Sequence, residues 1–448
     1  AQAWPKPLRP RHGWQSHSFM LGISICNGRF DFGKRIGKGS FGSVYYGVDT
    51  KTSNDVAIKL ESISCKTPQL EYEAKLYKVL SGGKGFPAMH WYGQEAGCNI
   101  MVLDLLGPSL QDLLTFVGRR FSLKTVVQLG QKVLNILEYL HSYSFIHRDL
   151  KPANLLVGHG EMNTEVHLVD LGLAKRYWSS KTGSHIPYRQ KSSRGIIGSA
   201  RYASVNAHHG IELSRRDDIE SCVYMLIQFM RGTLPWQNLV SKSDSKEDKN
   251  QRIGLMKAEM RYEHLCEGLP SVFPTMLMLT HCMEFEEQPN YQGFHRLLKV
   301  TAAREGLECD GEFDWVQLRV DGGVVEHVEE DDRISCNLSQ VSMDSAQAQD
   351  PGLGVGTGSW SNSWADTASE GKPSAGPSGR AGSRSAANSQ GGPLLRSVKK
   401  TGIYDPSLLR AMQSAGVSSG PLWQSMKQLV VTDEDAAEEQ HDGAGGQT

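Results

Sequence analysis

Long apolar runs are missing from this 448-residue chain; none approaches the roughly 18 consecutive apolar residues that a membrane-spanning helix needs. An excess of charge of one sign is missing too: 48 Lys and Arg stand against 49 Asp and Glu, which removes the electrostatic case for nucleic acid or a membrane surface as partner. The eight cysteines are scattered, with no C-x-x-C pair and no histidine cluster at zinc spacing, so neither a disulfide framework nor a zinc site is indicated. They are expected to be reduced thiols of an intracellular protein. "FMLGISIC" (Phe19 to Cys26) follows Lys6, Arg9 and Arg11 but is short, interrupted by Gly22 and without a small-residue cleavage site, which counts against a secretion signal. Residues 1–28 are expected to be an N-terminal extension without fixed structure, with Met20 a natural start.

What is present has a clear order. Alternation from Arg29 to Leu60, through "RFDFGKRIG", "SVYYGVD" and "DVAIKLE", predicts a small antiparallel sheet with Ala57 and Lys59 facing away from Val56 and Ile58. "PQLEYEAKLYKVL" (Pro68 to Leu80) sets Leu70, Ala74 and Tyr77 on one helical face, and "CNIMVLDLLG" predicts a buried strand ending at Gly107. After Pro108 helical patterns dominate: "SLKTVVQLGQKVLNILEYLHS" is long and amphipathic, while "DDIESCVYMLIQFMR" and "VFPTMLMLTHCMEF" are apolar nearly all round. Strands and one helix followed by helices imply an α+β molecule of two lobes, at residues 29–103 and 108–320, with a hinge at 104–107. Residues 321–448 carry 17 acidic against 9 basic side chains and a Gly/Ser/Ala-rich stretch poor in aliphatics. Too little apolar area is available there to offset ordering entropy, so a disordered acidic tail is expected.

Three strings carry chemistry. "GKGSFGSV" places Gly37, Gly39, Gly42 and Val44 in the pattern G-x-G-x-x-G-x-V. Three glycines alone more often make a mere turn, but this turn lies between two strands, as a flap over nucleotide phosphates does and a dinucleotide fold does not. Fifteen residues after Val44, "VAIK" delivers Lys59, and Glu73 follows at a remove that lets a helix glutamate hold it. An ordinary surface ion pair is the alternative for those two. "IHRDLKPANLL" then supplies Asp149 to accept a hydroxyl proton, Lys151 to neutralise a transferring phosphoryl group, and Asn154 to bind magnesium. "VDLGLAK" adds Asp170 as a second metal ligand.

These strings resemble those of protein kinases, with Leu171 where that pattern has Phe; similar apolar area is kept. Lys-Pro-Ala-Asn at Lys151 to Asn154 resembles serine/threonine kinases more than tyrosine kinases. No Ala-Pro-Glu closes the activation segment. From Arg29 to Val320 the chain resembles the casein kinase I family, through "DLLGPSL" (Asp104 to Leu110), "HIPYR" (His185 to Arg189), "GSARYASVNAHHG" (Gly198 to Gly210), "SRRDDIES" (Ser214 to Ser221), "GTLPWQ" (Gly232 to Gln237) and "EFDW" (Glu312 to Trp315). That family has a Ser-Ile-Asn-like tripeptide in place of Ala-Pro-Glu, and Ser204-Val205-Asn206 stands there. The tau-tubulin and vaccinia-related kinases are relatives, but "HIPYR" and "SRRDDIES" favour casein kinase I.

The resemblance implies a bilobal protein kinase fold and a non-specific serine/threonine protein kinase using ATP and Mg2+, monomeric, in cytoplasm, nucleus or both. It implies an adenine slot between Ile36, Val44 and Ala57 above and Leu156 below, with Leu103 at the back and the Asp104–Leu106 backbone at the base's edge. Substrates would be proteins with an acidic or phosphorylated residue three positions before the target, recognised at an anion site containing Arg201 and Gly232. Lys191, Arg194, Arg215 and Arg216 could enlarge that positive field, or form a solvated rim. Where the family has a further anion-binding lysine this chain has Val240, with Lys242 a substitute. In the tail, Asp332 precedes Ser335, and Ser339, Ser342 and Ser345 recur every third residue, so the tail is a candidate substrate and inhibitor of its own enzyme, or else a plain serine-rich tail. The non-enzymatic alternative is a catalytically feeble scaffold presenting lobe and tail.

Overall fold

A computed structural model describes residues 24–39, 42–160, 164–190, 195–237 and 245–316. Among these, strands β1 (Ser24–Ile25), β2 (Phe30–Gly39), β3 (Gly42–Asp49), β4 (Asn54–Ser62), β5 (Met89–Glu95) and β6 (Cys98–Asp104) form one sheet in the order β1-β2-β3-β4-β6-β5. All its pairings are antiparallel. Side chains alternate across a strand, so the register gives the sheet two apolar faces. Val56, Ile58, Ile100 and Val102 join Ile25 and Phe30 in a small outer core. The opposite face, with Ala57 beside Leu103 and Lys59 beside Met101, is turned toward α1 (Leu70–Val79), which buries Leu70, Glu73, Ala74, Leu76 and Tyr77.

Order begins earlier than Arg29. Ile25 pairs with Phe30 and is 5% exposed, because its side chain completes the outer core; a two-residue strand has no period by which alternation could reveal it. β6 in turn stops at Asp104, short of Gly107, where the chain leaves the sheet and the Gly107 N–H donates to the Val157 carbonyl at 2.8 Å.

The rest is mostly helical: α2 (Leu110–Phe116), α3 (Leu123–Ser142), α4 (Val205–His208), α5 (Arg215–Arg231), α6 (Lys246–Glu259), α7 (Tyr262–Leu265), α8 (Val272–Cys282) and α9 (Tyr291–Arg304). Short strands β7 (Phe145–Ile146), β8 (Leu155–Val157), β9 (Val166–Leu168) and β10 (Lys175–Arg176) pair as β7 with β10 and β8 with β9. Helix starts follow capping chemistry: Ser122 accepts from the Thr125 N–H at α3, and Ser109 with Asp112 makes a reciprocal capping box at α2. α5 is apolar nearly all round because it lies between α3 and α8, as its sequence predicts.

Residues 312–316 close the helical region onto the start of α3. The Asp314 carboxylate accepts from the Ser122 N–H and hydroxyl, both at 2.6 Å, while Trp315, fully buried, stacks on Phe313 at 4.6 Å and meets Phe121 edge-on at 5.5 Å. No helix among the described residues is long and apolar enough to cross a membrane. The expected extension at 1–23, the end of the second lobe at 317–320 and the acidic tail at 321–448 lie outside the described residues. Replacing Trp315 by Ala should lower unfolding free energy by about 3–5 kcal/mol, the usual result of emptying a large aromatic site; chemical denaturation measures it, and a loss below about 1 kcal/mol would show the closure to be dispensable.

Candidate active site

The site is assembled from β3, β4, α1 and the loops that follow β7 and β9. Gly37 pairs with Val44 and Gly39 with Gly42 in the glycine-rich hairpin. At Gly42 a Cβ would stand 2.1 Å from the Leu60 carbonyl oxygen, so only glycine lets the hairpin lie against β4. The register sets Val44 beside Lys59 and Ala57 beside Leu103 on the face turned toward α1. Ile36 is 46% exposed and Leu156 half-buried between fully buried Leu155 and Val157, which leaves both with apolar surface for a flat ligand. The Asp104 carboxylate is committed to β5, accepting from the Ala88 N–H and meeting His90 Nε2, each at 2.7 Å. Burial would raise its pKa, but His90 and that N–H outweigh burial and hold it below the usual range. The hinge is thus braced by the Asp104 side chain. Leu106 follows before the chain turns at Gly107.

Lys59 is the junction. Its Nζ lies 2.7 Å from Glu73 Oε2 on α1 and 3.2 Å from Asp170 Oδ1 after β9. Burial works against the ammonium, yet Glu73 and then Asp170 outweigh it and raise its pKa. Asp170 is likewise pushed up by burial and brought below its ordinary value by Lys59. Glu73, 2% exposed, is shifted upward by burial, with the Lys59 ammonium at 2.7 Å opposing that shift. Asp170 has φ of +65°, a left-handed backbone rare outside glycine and found where function holds it. Leu171 is fully buried in the main core, and its turn packs on α1, so leucine fills the place that the sequence comparison gave to phenylalanine.

The catalytic loop is held from behind by Asp218 on α5, whose carboxylate accepts from the N–H groups of His147 at 2.7 Å and Arg148 at 2.9 Å and meets His141 Nε2 at 2.9 Å. That hold sustains φ of +67° at Arg148 and presents Asp149. Asp149 Oδ2 receives Lys151 Nζ at 2.7 Å and Oδ1 the Ser199 N–H at 2.7 Å, while Lys151 also reaches Ser199 Oγ at 3.4 Å. Asn154 Nδ2 donates to the Asp149 carbonyl at 3.0 Å. This commits the nitrogen end of the amide and turns the oxygen into the metal-binding end. Asn154 oxygen and Asp170 carboxylate make the all-oxygen donor set that a hard divalent cation requires, so the residues fit the metal.

The activation segment ends in a way that explains Ser204-Val205-Asn206. Ser204 caps α4 through the Ala207 N–H; its hydroxyl donates to Asp217 Oδ1 at 2.7 Å, and Asn206 Nδ2 donates to the same oxygen at 3.0 Å. The Val205 N–H reaches Glu220 Oε1 at 2.8 Å. Two buried carboxylates of α5 therefore anchor the segment through small polar residues. Burial pushes Asp217 up to about 6 against the pull of Ser204.

Arg201 lies between those anchors. Its guanidinium carbon is 5.8 Å from the Tyr202 ring centroid, and no carboxylate pairs with it among the described residues. Gly232 ends α5 with φ of +84°, a conformation that suits glycine; a Cβ there would come 2.9 Å from the Arg119 carbonyl. Arg215 corrects an expectation. It is 8% exposed, its guanidinium lies over Tyr177, and it donates to the Glu286 carbonyl; Arg216 donates to the Met283 carbonyl. Both arginines fasten the turn after α8, because sequence shows their charge but not the carbonyls that use it. Lys191, Arg194, Val240 and Lys242 lie outside the described residues.

Several contributors escaped sequence analysis. Gly198 stands within the quoted "GSARYASVN", yet only the fold shows that a Cβ there would lie 2.4 Å from the Arg148 carbonyl at φ of +83°. Ser199, Asp217, Asp218 and Glu220 act through long-range contacts that no local spacing reveals. Tyr77, fully buried, has its phenol pushed well up by burial and by the Glu73 and Asp170 carboxylates; its helical position marked it only as core.

The glycine-rich hairpin, Lys59 between Glu73 and Asp170, and Asn154 bonded to the Asp149 backbone make an arrangement suited to phosphoryl transfer from a nucleotide. Residues 30–288 match the family model of the protein kinase domain, more than half of the chain, and the chain belongs to that family. It is therefore a phosphotransferase that uses ATP and a divalent metal and acts on protein. Gly198→Ala should lower kcat by about 10²-fold through displacement of Asp149, with KM for ATP little changed; steady-state kinetics with both substrates checks this, and undiminished kcat would refute the close fit.

Proposed function

We propose that the chain is a serine/threonine kinase of the casein kinase I type, a monomer of the cytoplasm, nucleus or both, that transfers the γ-phosphoryl group of Mg-ATP to acidic or already phosphorylated proteins. The supporting observation is Arg201, unpaired by carboxylates among the described residues and two residues from Ser199, whose N–H holds Asp149. An anion on the substrate, three positions before the target residue, would supply the missing partner through charge-assisted hydrogen bonds.

The chain's own groups then divide the work. Asp149 accepts the proton of the serine or threonine hydroxyl as the new oxygen–phosphorus bond forms and the bond to the β-phosphate oxygen breaks, releasing ADP. Lys151, 2.7 Å from Asp149, neutralises charge on the transferring group. Lys59 holds the nucleotide phosphates, and Glu73 and Asp170 hold Lys59. Ile36, Val44, Ala57, Leu103 and Leu156 offer apolar surface to the adenine. Asn154 and Asp170 would hold the divalent metal, which would supply positive charge to offset that of the phosphates.

Two measurements test this. Asp149→Asn should reduce kcat by about 10²–10⁴-fold while leaving nucleotide binding by fluorescence titration intact; unaltered turnover would remove Asp149 from the base role, and no turnover in the unmodified chain would favour the scaffold alternative. Arg201→Ala should lower kcat/KM by about 10–100-fold on acidic or phosphorylated serine peptides, the loss of a charge-assisted contact, and far less on neutral ones. Equal loss on both peptide classes would sink the anion-site assignment. Tail autophosphorylation belongs to the same proposal, its serines lying outside the described residues.

A further inference from the structure

α6 carries one buried titratable group that the chemistry above leaves unused. Lys257 is 4% exposed, and its Nζ donates to the carbonyl of Ala200 at 2.9 Å and of Ala203 at 2.6 Å. It lies over two rings, 4.7 Å from the Tyr224 centroid and 4.9 Å from that of Trp236. Trp236 Nε1 donates to the carbonyl between them in sequence, that of Arg201, at 2.8 Å. Three carbonyls within four residues thus find their donors on elements distant in the chain.

No carboxylate lies within ion-pair distance of Lys257 among the described residues. Glu220, the nearest acid in electrostatic effect, is committed to the Val205 N–H at 2.8 Å and to His281 at 3.2 Å. Burying an ammonium without an anion is unfavourable, and methionine would fill the same volume without that penalty. What methionine cannot do is satisfy the Ala203 carbonyl, and it would leave the Ala200 carbonyl only the longer contact with His208 Nε2 at 3.2 Å. The cation is compensated by those oxygens and by two aromatic faces, a setting in which the ring contribution is stronger than at a surface.

We infer that Lys257 is a positioning residue for the protein substrate: from α6 it fixes the backbone of residues 200–203, and so sets affinity for the peptide without acting on the nucleotide. This rests on the proposed role of Arg201 in reading the substrate. The stretch is anchored at one end by Ser199 on Asp149 and at the other by Ser204 on Asp217; Lys257 and Trp236 hold the middle, where Arg201 stands.

Burial pushes Lys257 down to about 7, with Glu220 opposing, so its charge is lost over an accessible range. The groups facing it do not titrate there. On α5, Glu220 is held below its ordinary value, burial raising its pKa but His281, the Val205 N–H and Tyr224 together outweighing that, and Tyr224 is pushed well above its own by burial; on α4, His208 is pushed down to about 4 by burial and by Lys257. Trp236 has no titrating group. A peptide whose acidic residues are carboxylates is also constant between about pH 7 and 9.

The experiment measures KM for such a serine peptide, KM for ATP, and kcat on the full chain from pH 7 to 9. In the unmodified chain peptide KM should rise about tenfold across this range, the effect of about 1.4 kcal/mol, with ATP KM within about twofold throughout. Lys257→Met should show the raised peptide KM already at pH 7, with no further rise. Trp236→Phe, which keeps the ring and removes the donor to Arg201, should raise peptide KM by a smaller factor. A flat peptide KM in the unmodified chain overturns the inference, even if Lys257→Met does not fold. So does a Lys257→Met enzyme with unmodified peptide KM, or one that loses ATP affinity in step with peptide affinity. If the unmodified chain phosphorylates only neutral peptides, the acidic preference falls, and Lys257 is tested by the same profile on the neutral peptide.

Discussion

Burial of the Lys59 ammonium between two carboxylates is the interaction on which this structure turns. The three charges come from β4, α1 and the loop after β9, and their distances of 2.7 and 3.2 Å require that sheet, helix and second lobe be in register together. A buried cation with one partner removed is strongly destabilising, so displacement of α1 or of Asp170 is opposed from both sides. Leu171 and Tyr77, buried beside the triad, supply the apolar packing that holds those elements while the charges set their orientation. Lys59 is therefore held in place by the fold itself, and preorganised charge of this kind is where electrostatic catalysis draws its advantage.

α5 does for the second lobe what Lys59 does for the cleft. Its first turns carry Asp217, Asp218 and Glu220, all nearly inaccessible, and between them they receive donors from two parts of the second lobe. Asp218 takes two backbone N–H groups of the catalytic loop; Asp217 and Glu220 take the end of the activation segment. Burying three carboxylates on one helix is unfavourable unless each is hydrogen-bonded, and the partners supply those bonds. The absence of Ala-Pro-Glu is then no defect: Ser204 and Asn206 reach Asp217 from a short helix.

Basic side chains are used in two distinct ways. Arg215, Arg216 and Lys257 donate to backbone carbonyl oxygens of segments distant in sequence, tying those segments to α5 and α6. Arg201 is left without a carboxylate among the described residues. The near-neutral total charge of the chain conceals that division, because composition counts arginines and lysines without regard to what satisfies them.

Much of this protein was legible in the sequence by itself. Asp149, Lys151 and Asn154 sit in one short string, so their mutual geometry is fixed by local backbone, and the alternation of Val56 to Lys59 fixes which side chain faces the cleft. Lys59 with Glu73 needed only a strand followed by a helix. Tertiary structure alone decided the rest. Ile25 gained a place in the sheet from contacts that no period announces; Gly198 became obligatory because the Arg148 carbonyl passes 2.4 Å from where its Cβ would be. Arg215 and Lys257 took structural partners at sequence separations of 71 and 54–57 residues. Sequence encodes side-chain chemistry and local periodicity, but whether a buried charge meets a carbonyl, a ring or a substrate depends on elements brought together only when the core forms.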